Sequence, residues 1–316
     1  MVLLSAAIAF VISAGAAYLL DYLDDTLKSP EEITQVLDLP VIGYISEFDS
    51  SENYGAYVAK QPRSAVAEAF RSLRTDIEFA GVDTPLKTIY VSSTSMSEGK
   101  TSIAANLAVI LAQSGKNVVL LDADLRKPNV HRKLGLTNKK GLSDVFRSKY
   151  DIYEVSVNWR DGNIVVITSG DIPSNPSELL SSNKMDQVLA SLGNVADVVV
   201  IDGPPFLVTD ATILASKVDG VLFVVRYGHT RKKIAQEAIK RLRRSDAKVL
   251  GVVMNRVPRG AEDLYGLYNY YHEYYEDEES EIGQSKERRP RLSLPRLFNR
   301  KDKSSMEVAG IEEGEG

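Results

Sequence analysis

The sequence predicts an α/β fold, a mostly parallel sheet with helices on both faces, preceded by one transmembrane helix. Three observations predict it. From Lys87 to about Val257, short apolar runs alternate with helical patterns, as in a parallel sheet covered on both sides. One strand-to-helix junction, "IYVSSTSMSEGKTS", has the make-up of a phosphate-binding loop. From Val2 to Leu20 nineteen residues pass without a charge. At about 1.5 Å per residue that run reaches roughly the 30 Å of a bilayer's hydrocarbon core.

The elements follow in chain order. Residues 1–22 are expected to span a membrane; no basic segment precedes them, and Asp21, Asp24 and Asp25 leave the flanking charges uninformative about orientation. Residues 23–62 form a membrane-proximal segment and linker. Within it "SPEEITQVL" starts a helix with Ser29 as N-cap, Pro30 at N1 and Glu32 at N3, and "LPVIGYI" reads as a brief strand. Residues 63–262 carry the nucleotide domain, opening with the helix "SAVAEAFRSLRTDIEFA". Strands are expected at 88–93, 117–122, 163–168, 197–202, 219–226 and 248–254, and helices at 100–114, 176–192 and 230–245. Asn175 should cap the second of these helices. Residues 263–279 hold a tyrosine cluster, and the charged stretch 280–316 is expected to be disordered.

Bulk composition excludes several functions. The chain has 316 residues, a net charge of −5 and no cysteine. Disulfides, thiolate metal sites and cysteine nucleophiles are therefore absent, and an acidic balance argues against nucleic acid as a partner. A late run, "KERRPRLSLPRLFNRKDK", carries eight basic and two acidic residues. It reads as a solvated tail, with anionic lipid as the alternative partner.

The chemistry concentrates in three stretches. In "TSMSEGKT" the loop amides and the helix N-terminus can cradle phosphate oxygens, Lys100 can place its charge on the β and γ phosphates, and the Thr101 hydroxyl can ligate Mg²⁺. Ser97, Glu98, Gly99 and Ser102 complete this expected ATP site; Thr94 stands where such loops usually begin with glycine. "LLDADLR" sets Asp122 and Asp124 at a strand's carboxyl end, followed by Arg126, and "VVIDGPP" ends another strand in Asp202. Ligands of such sheets bind at the carboxyl ends of strands, so the three acids are expected to converge near one Mg²⁺. The fold class is accordingly a P-loop NTPase with ATP and Mg²⁺ as cofactors.

These three motifs together resemble the bacterial tyrosine kinases of capsule and exopolysaccharide synthesis, relatives of the MinD/ParA P-loop ATPases. Ser95 stands where the MinD/ParA group carries a signature lysine, which favours the kinase branch. The resemblance runs from residue 1 to about 280. It implies phosphoryl transfer from ATP to tyrosine, with Asp122 orienting or deprotonating the phenol and Asp124 and Asp202 holding Mg²⁺. Asn255 in "GVVMNRV" would read adenine; Arg126 would contact phosphate or fix the acidic loop. Glu68, Arg71 and Arg74 match the family's E-x-x-R-x-x-R oligomerisation motif, which implies a homo-oligomeric ring. Read from spacing alone, they are a slowly drifting helix face with a weak Glu68–Arg71 pair.

The resemblance also implies a kinase domain facing the cytoplasm from the bacterial inner membrane. Its partners would be a polysaccharide polymerase and export complex and a protein-tyrosine phosphatase. The family's fused members begin with a first membrane helix and an extracytoplasmic domain that these residues do not contain. Tyr265, Tyr268, Tyr270, Tyr271, Tyr274 and Tyr275 then read as phosphoacceptors offered to a neighbouring subunit, each phosphate adding repulsion that loosens the ring. Taken alone the run also fits an aromatic helix face, with Leu264, Tyr268, Tyr271 and Tyr275 nearly on one side. Two other functions stand beside the autokinase: a ParA/MinD-like ATPase switch, and an ATP-dependent scaffold without kinase activity.

Overall fold

A computed structural model describes residues 2–48, 56–160 and 163–258. The tyrosine cluster and the charged tail lie outside the described residues. The chain begins with α1 (Val2–Tyr22), α2 (Pro30–Leu37) and β1 (Val41–Ser46). Next come α3 (Tyr57–Lys60), α4 (Ala65–Ala80), β2 (Thr88–Ser93), α5 (Lys100–Gln113) and β3 (Val118–Asp122). After α6 (Val130–Leu134), α7 (Leu142–Phe146) and a single 3-10 turn stand β4 (Ser156–Asn158) and β5 (Ile164–Ile167). The last third holds α8 (Pro176–Ser181), α9 (Asn183–Val195), β6 (Val198–Asp202), α10 (Thr209–Ala215), β7 (Gly220–Arg226), α11 (Lys232–Arg244) and β8 (Val249–Val257).

The eight strands form one sheet in the order β1-β8-β7-β2-β6-β3-β5-β4, parallel except for the antiparallel β4–β5 edge. Successive residues of a strand face opposite sides, and the core divides accordingly. Val199 and Ile201 join Ile33, Leu189, Phe206 and Leu242 on one face. Val198 and Val200 join Phe70, Leu73, Ile103, Leu107 and Ile110 on the other. Helix α5 shows why this sequence is helical: Ile103, Leu107 and Ile110 recur at i, i+4 and i+7 and are fully buried. Each contributes about 1.5–3 kcal/mol of hydrophobic stabilisation.

Several boundaries differ from expectation for identifiable reasons. The helix expected over 176–192 is two helices, because Ser182 takes an extended conformation (φ −66°, ψ 153°) between them. Asn175 precedes the first without capping it; its amide donates to Glu178 Oε2 at 2.5 Å instead. Ser29 does cap α2, accepting from Glu32 N at 3.1 Å, while Glu32 reaches back to Lys28 N and out to Lys232. Residues 23–46 are not peripheral to the sheet. Strand β1 pairs with β8, and Leu27 N donates to Thr230 O at 2.9 Å. The stretch read as a linker contains α3, with Val58 fully buried.

Helix α1 presents Leu3, Leu4, Ile8, Phe10, Val11 and Ile12 to the outside. Among the described residues no helix is long and apolar enough to cross a membrane, the side chains of residues 2, 17, 20 and 21 lying outside the description.

Candidate active site

The phosphate-binding loop lies between β2 and α5, at the carboxyl edge of the sheet. Its turn demands two left-handed residues, Ser97 (φ 63°) and Gly99 (φ 100°). A side chain at Gly99 would also meet Asn255, since an added Cβ would lie 2.0 Å from its Nδ2. The Asn255 amide donates to Glu98 O at 2.8 Å, so this residue, expected to read adenine, braces the loop backbone. Glu98 turns inward as well. Its carboxylate accepts from Ser95 N at 2.7 Å and from the Thr230 hydroxyl at 2.5 Å, and burial raises its pKa. Thr230 was not foreseen; it ties the loop to the turn after β7, across 132 residues of sequence.

The strand ends supply the acids. Lys100 Nζ stands 3.0 Å from Asp124 Oδ2 with both side chains largely buried, and the Asp202, Asp124 and Asp122 charges outweigh burial to raise the lysine's pKa. Asp124 also accepts from Lys127 N at 3.0 Å. Asp122 and Asp202 pair in register on β3 and β6. Asp122 accepts from the amides of Asp124, Asn129 and Val130 at 3.2, 3.2 and 3.0 Å, so it caps α6. Burial and the Asp202 charge push its pKa well above the usual carboxylate range.

Asp202 is different. Among the described residues neither carboxylate oxygen has a hydrogen-bond partner of good geometry. Burial raises its pKa to about 6, against the lowering influence of Lys100 and of the nearby Thr101 hydroxyl. A fully buried carboxylate without partners, beside a hydroxyl and a second acid, is a donor set suited to a hard cation that keeps part of its shell for water and phosphate. Asp202, Thr101 and Asp124 thus fit Mg²⁺. All three acids act on Lys100, but Asp122 is turned to the α6 amides, and among the described residues no cluster of three acids or histidines could hold a metal ion.

A cleft of about 1280 Å³ opens over this floor. Ser97, Gly99, Lys100, Thr101, Ser102, Asp124 and Arg126 line it; Glu98, Asp122, Asp202 and Asn255 lie beneath. Arg126 Nε donates to Asp210 Oδ2 at 2.6 Å and its NH2 group to Ser177 Oγ at 3.1 Å, joining α8 and α10 behind the acidic loop. Asp210 carried no sequence signal. Nor did the support under Asp202: Tyr90 Oη and Ser92 Oγ both donate to Pro204 O, at 2.6 and 2.7 Å. Gly203 must be glycine there, since a Cβ would lie 2.4 Å from the Tyr90 ring.

Glu68, Arg71 and Arg74 lie on α4, apart from the cleft. Arg71 pairs with Glu68 at 2.6 Å and also donates to Pro62 O; Arg74 Nε is 3.9 Å from Glu78.

Comparison with known proteins agrees with this geometry. Residues 89–266 match the CobQ/CobB/MinD/ParA nucleotide binding domain. The chain is 41% identical over 207 residues to the tyrosine-protein kinase YwqD of Bacillus subtilis (strain 168), covering 65% of this chain and 87% of that protein. It is 35% identical over 203 residues to the putative tyrosine-protein kinase CapB of Staphylococcus aureus, covering 64% and 89%. The kinase domain of Escherichia coli tyrosine kinase ETK superposes with a TM-score of 0.70 at 29% identity, over 74% of this chain and 96% of that one. On this evidence the chain belongs to the bacterial tyrosine-protein kinases, built on a CobQ/CobB/MinD/ParA-type nucleotide-binding domain.

Proposed function

We propose that the chain is a membrane-tethered protein-tyrosine autokinase that passes the γ-phosphoryl group of ATP to tyrosines of neighbouring subunits. In this role it regulates capsule or exopolysaccharide polymerisation and export. The observation that carries the reading is the match to YwqD along nearly all of that kinase's length. It favours the autokinase over a nucleotide-driven assembly switch.

Lys100 binds the β and γ phosphates and neutralises charge on the group in transfer, aided by the loop amides and the N-terminus of α5. Thr101, Asp124 and Asp202 hold Mg²⁺, which supplies further charge neutralisation on the phosphate oxygens when bound. Arg126, fixed by Asp210, keeps the acidic loop in place. Asp122 receives the phenolic proton. A phenol titrates near 10, and an acceptor with a raised pKa is better matched to it. Among the described residues Oδ1 of Asp122 accepts only from Asp124 N and so keeps a lone pair for the phenol, while Oδ2 holds the α6 amides.

The acceptors are Tyr265, Tyr268, Tyr270, Tyr271, Tyr274 and Tyr275, reached in a homo-oligomeric ring joined through Glu68, Arg71 and Arg74. Helix α1 anchors the chain in the bacterial inner membrane, with the kinase domain in the cytoplasm where ATP is available. A polysaccharide export complex and a protein-tyrosine phosphatase are its partners. Incubation with labelled ATP tests the function. Phosphotyrosine is expected in residues 265–275 and its loss in Lys100→Met; release of free phosphate alone would return the chain to the switch reading.

A further inference from the structure

We propose that the cationic wall of the nucleotide cleft selects acceptor tyrosines by the acidic residues that follow them, so that Tyr274 and Tyr275 are phosphorylated first. The proposal rests on the autokinase reading and specifies which part of the tail the cleft recognises.

Four cations, Lys127, Arg132, Lys133 and Arg256, line the cleft beside Lys100 and Asp124. Among the described residues Lys127, Arg132 and Lys133 have no ion-pair partner, and Arg256 has only Glu47 at 4.0 Å. Lys133 and Arg256 come from different elements and stand close enough for the arginine to lower the lysine's pKa, in addition to burial. Uncompensated like charges along one wall focus a positive field into the cleft. Lys100 and the loop amides already serve the triphosphate, so this wall is available to a second anionic ligand.

Its position relative to the chemistry follows from α6. The helix starts at Val130, whose amide is bonded to Asp122. Arg132 and Lys133 lie two and three residues further on, about 3–5 Å along the axis. Adding side-chain reach, their charges stand on the order of 10 Å from the Asp122 carboxylate, and an extended peptide covers that in about three residues. With the tail running C-terminally over α6, as the proposal requires, an acid three residues beyond the reacting tyrosine meets the wall.

The tail has such acids in one place. Glu276, Asp277, Glu278, Glu279 and Glu281 follow Tyr275, so Tyr274 and Tyr275 have Asp277 and Glu278 three residues on. Tyr270 has Glu273 at that distance, whereas Tyr265 and Tyr268 have other tyrosines. Five carboxylates against four cations leave no spare positive charge. Each phosphate, adding about −1.5 to −2, is then repelled, and the modified tail leaves.

The test uses the full chain as enzyme, ATP, and a synthetic peptide of residues 260–283 as substrate. Early phosphosites mapped by mass spectrometry are expected at Tyr274 and Tyr275. The double variant Arg132→Glu/Lys133→Glu is expected to raise the peptide KM about tenfold, with kcat and ATP affinity little changed, whereas Arg132→Lys/Lys133→Arg restores it. A peptide with Glu276, Asp277, Glu278, Glu279 and Glu281 changed to amides should show the same rise with the unaltered enzyme and no further rise with the double variant. An unchanged KM, additive losses, or first modification at Tyr265, which follows Glu262 and Asp263, would overturn the proposal. A fall in ATP affinity would assign the wall to the nucleotide and overturn it equally. Absence of phosphotyrosine from the unaltered pair would remove the autokinase reading as well, which separates the two failures.

Discussion

Asp122 and Asp202 end adjacent parallel strands at the same level, and both are fully buried. Their surroundings are opposite. Asp122 is held by three backbone amides, whereas among the described residues Asp202 has no hydrogen bond of good geometry, only the Thr101 hydroxyl nearby. The carboxylate that accepts several amides is part of the scaffold and fixes where α6 begins. The one left without partners is costly to the fold and available to a cation. Two aspartates that look alike at the ends of apolar runs therefore differ in what holds them, and only Asp122 adds a scaffold role to the chemistry proposed for it.

The largest effect that can break this comparison is on activity. Asp202→Asn is expected to slow phosphotyrosine formation about 10²–10³-fold, by weakening the metal site. Its urea midpoint should not fall, because the amide removes a buried unpaired charge. A variant that kept its rate, or unfolded more easily, would contradict the assignment.

Asp122→Asn should behave in the reverse order for stability. The amide's NH₂ group cannot accept from the α6 amides, so a loss of about 1–3 kcal/mol is expected in urea unfolding.

The pH dependence sharpens the contrast. Asp202 titrates at about 6 in the fold against 3.8 ordinarily, so the folded chain binds the extra proton between those values. Its contribution to stability is present below the ordinary value and is lost as pH rises through about 6. Mg²⁺ needs the ionised form, so Mg²⁺-dependent stabilisation should weaken as pH falls below about 6, measurable as the shift in melting temperature on adding Mg²⁺. In Asp202→Asn the shift should disappear at every pH.

The smallest effect concerns the loop beneath Asp202. Tyr90→Phe removes the hydrogen bond to Pro204 O and should cost about 1 kcal/mol in urea unfolding. Unchanged stability would mean that Ser92, which shares the same carbonyl, suffices alone.

What could be read from the sequence was local. The GKT loop and the strand-ending aspartates are short patterns whose chemistry depends on neighbours in the chain. The six main strands are legible because each is an apolar run long enough to be buried on both faces. The rest required partners far apart in sequence. Arg126 meets Asp210, Glu98 meets Thr230, and Tyr90 meets Pro204 across 84, 132 and 114 residues, and no local pattern selects those pairs. Strand β4, three residues long with two of them exposed, has no hydrophobic period to detect. Asn255 shows a different limit: its hydrogen bond to the loop backbone at Glu98 O is a second role that its motif does not reveal.

The pairing of β1 with β8 bears on how the chain is made. Val41 lies opposite Val252, so the first strand finds its partner only when the last one exists. At about 5–20 residues per second, a ribosome needs roughly 10–40 s to supply the intervening chain. Throughout that interval β1, with Leu27 and Ile33 beside it, has no sheet to join. Contacts of such long sequence separation are also the slowest to form after release. The N-terminal segment is therefore the last part of the domain to close, and the step at which a nascent chain is most exposed to misassembly with its neighbours.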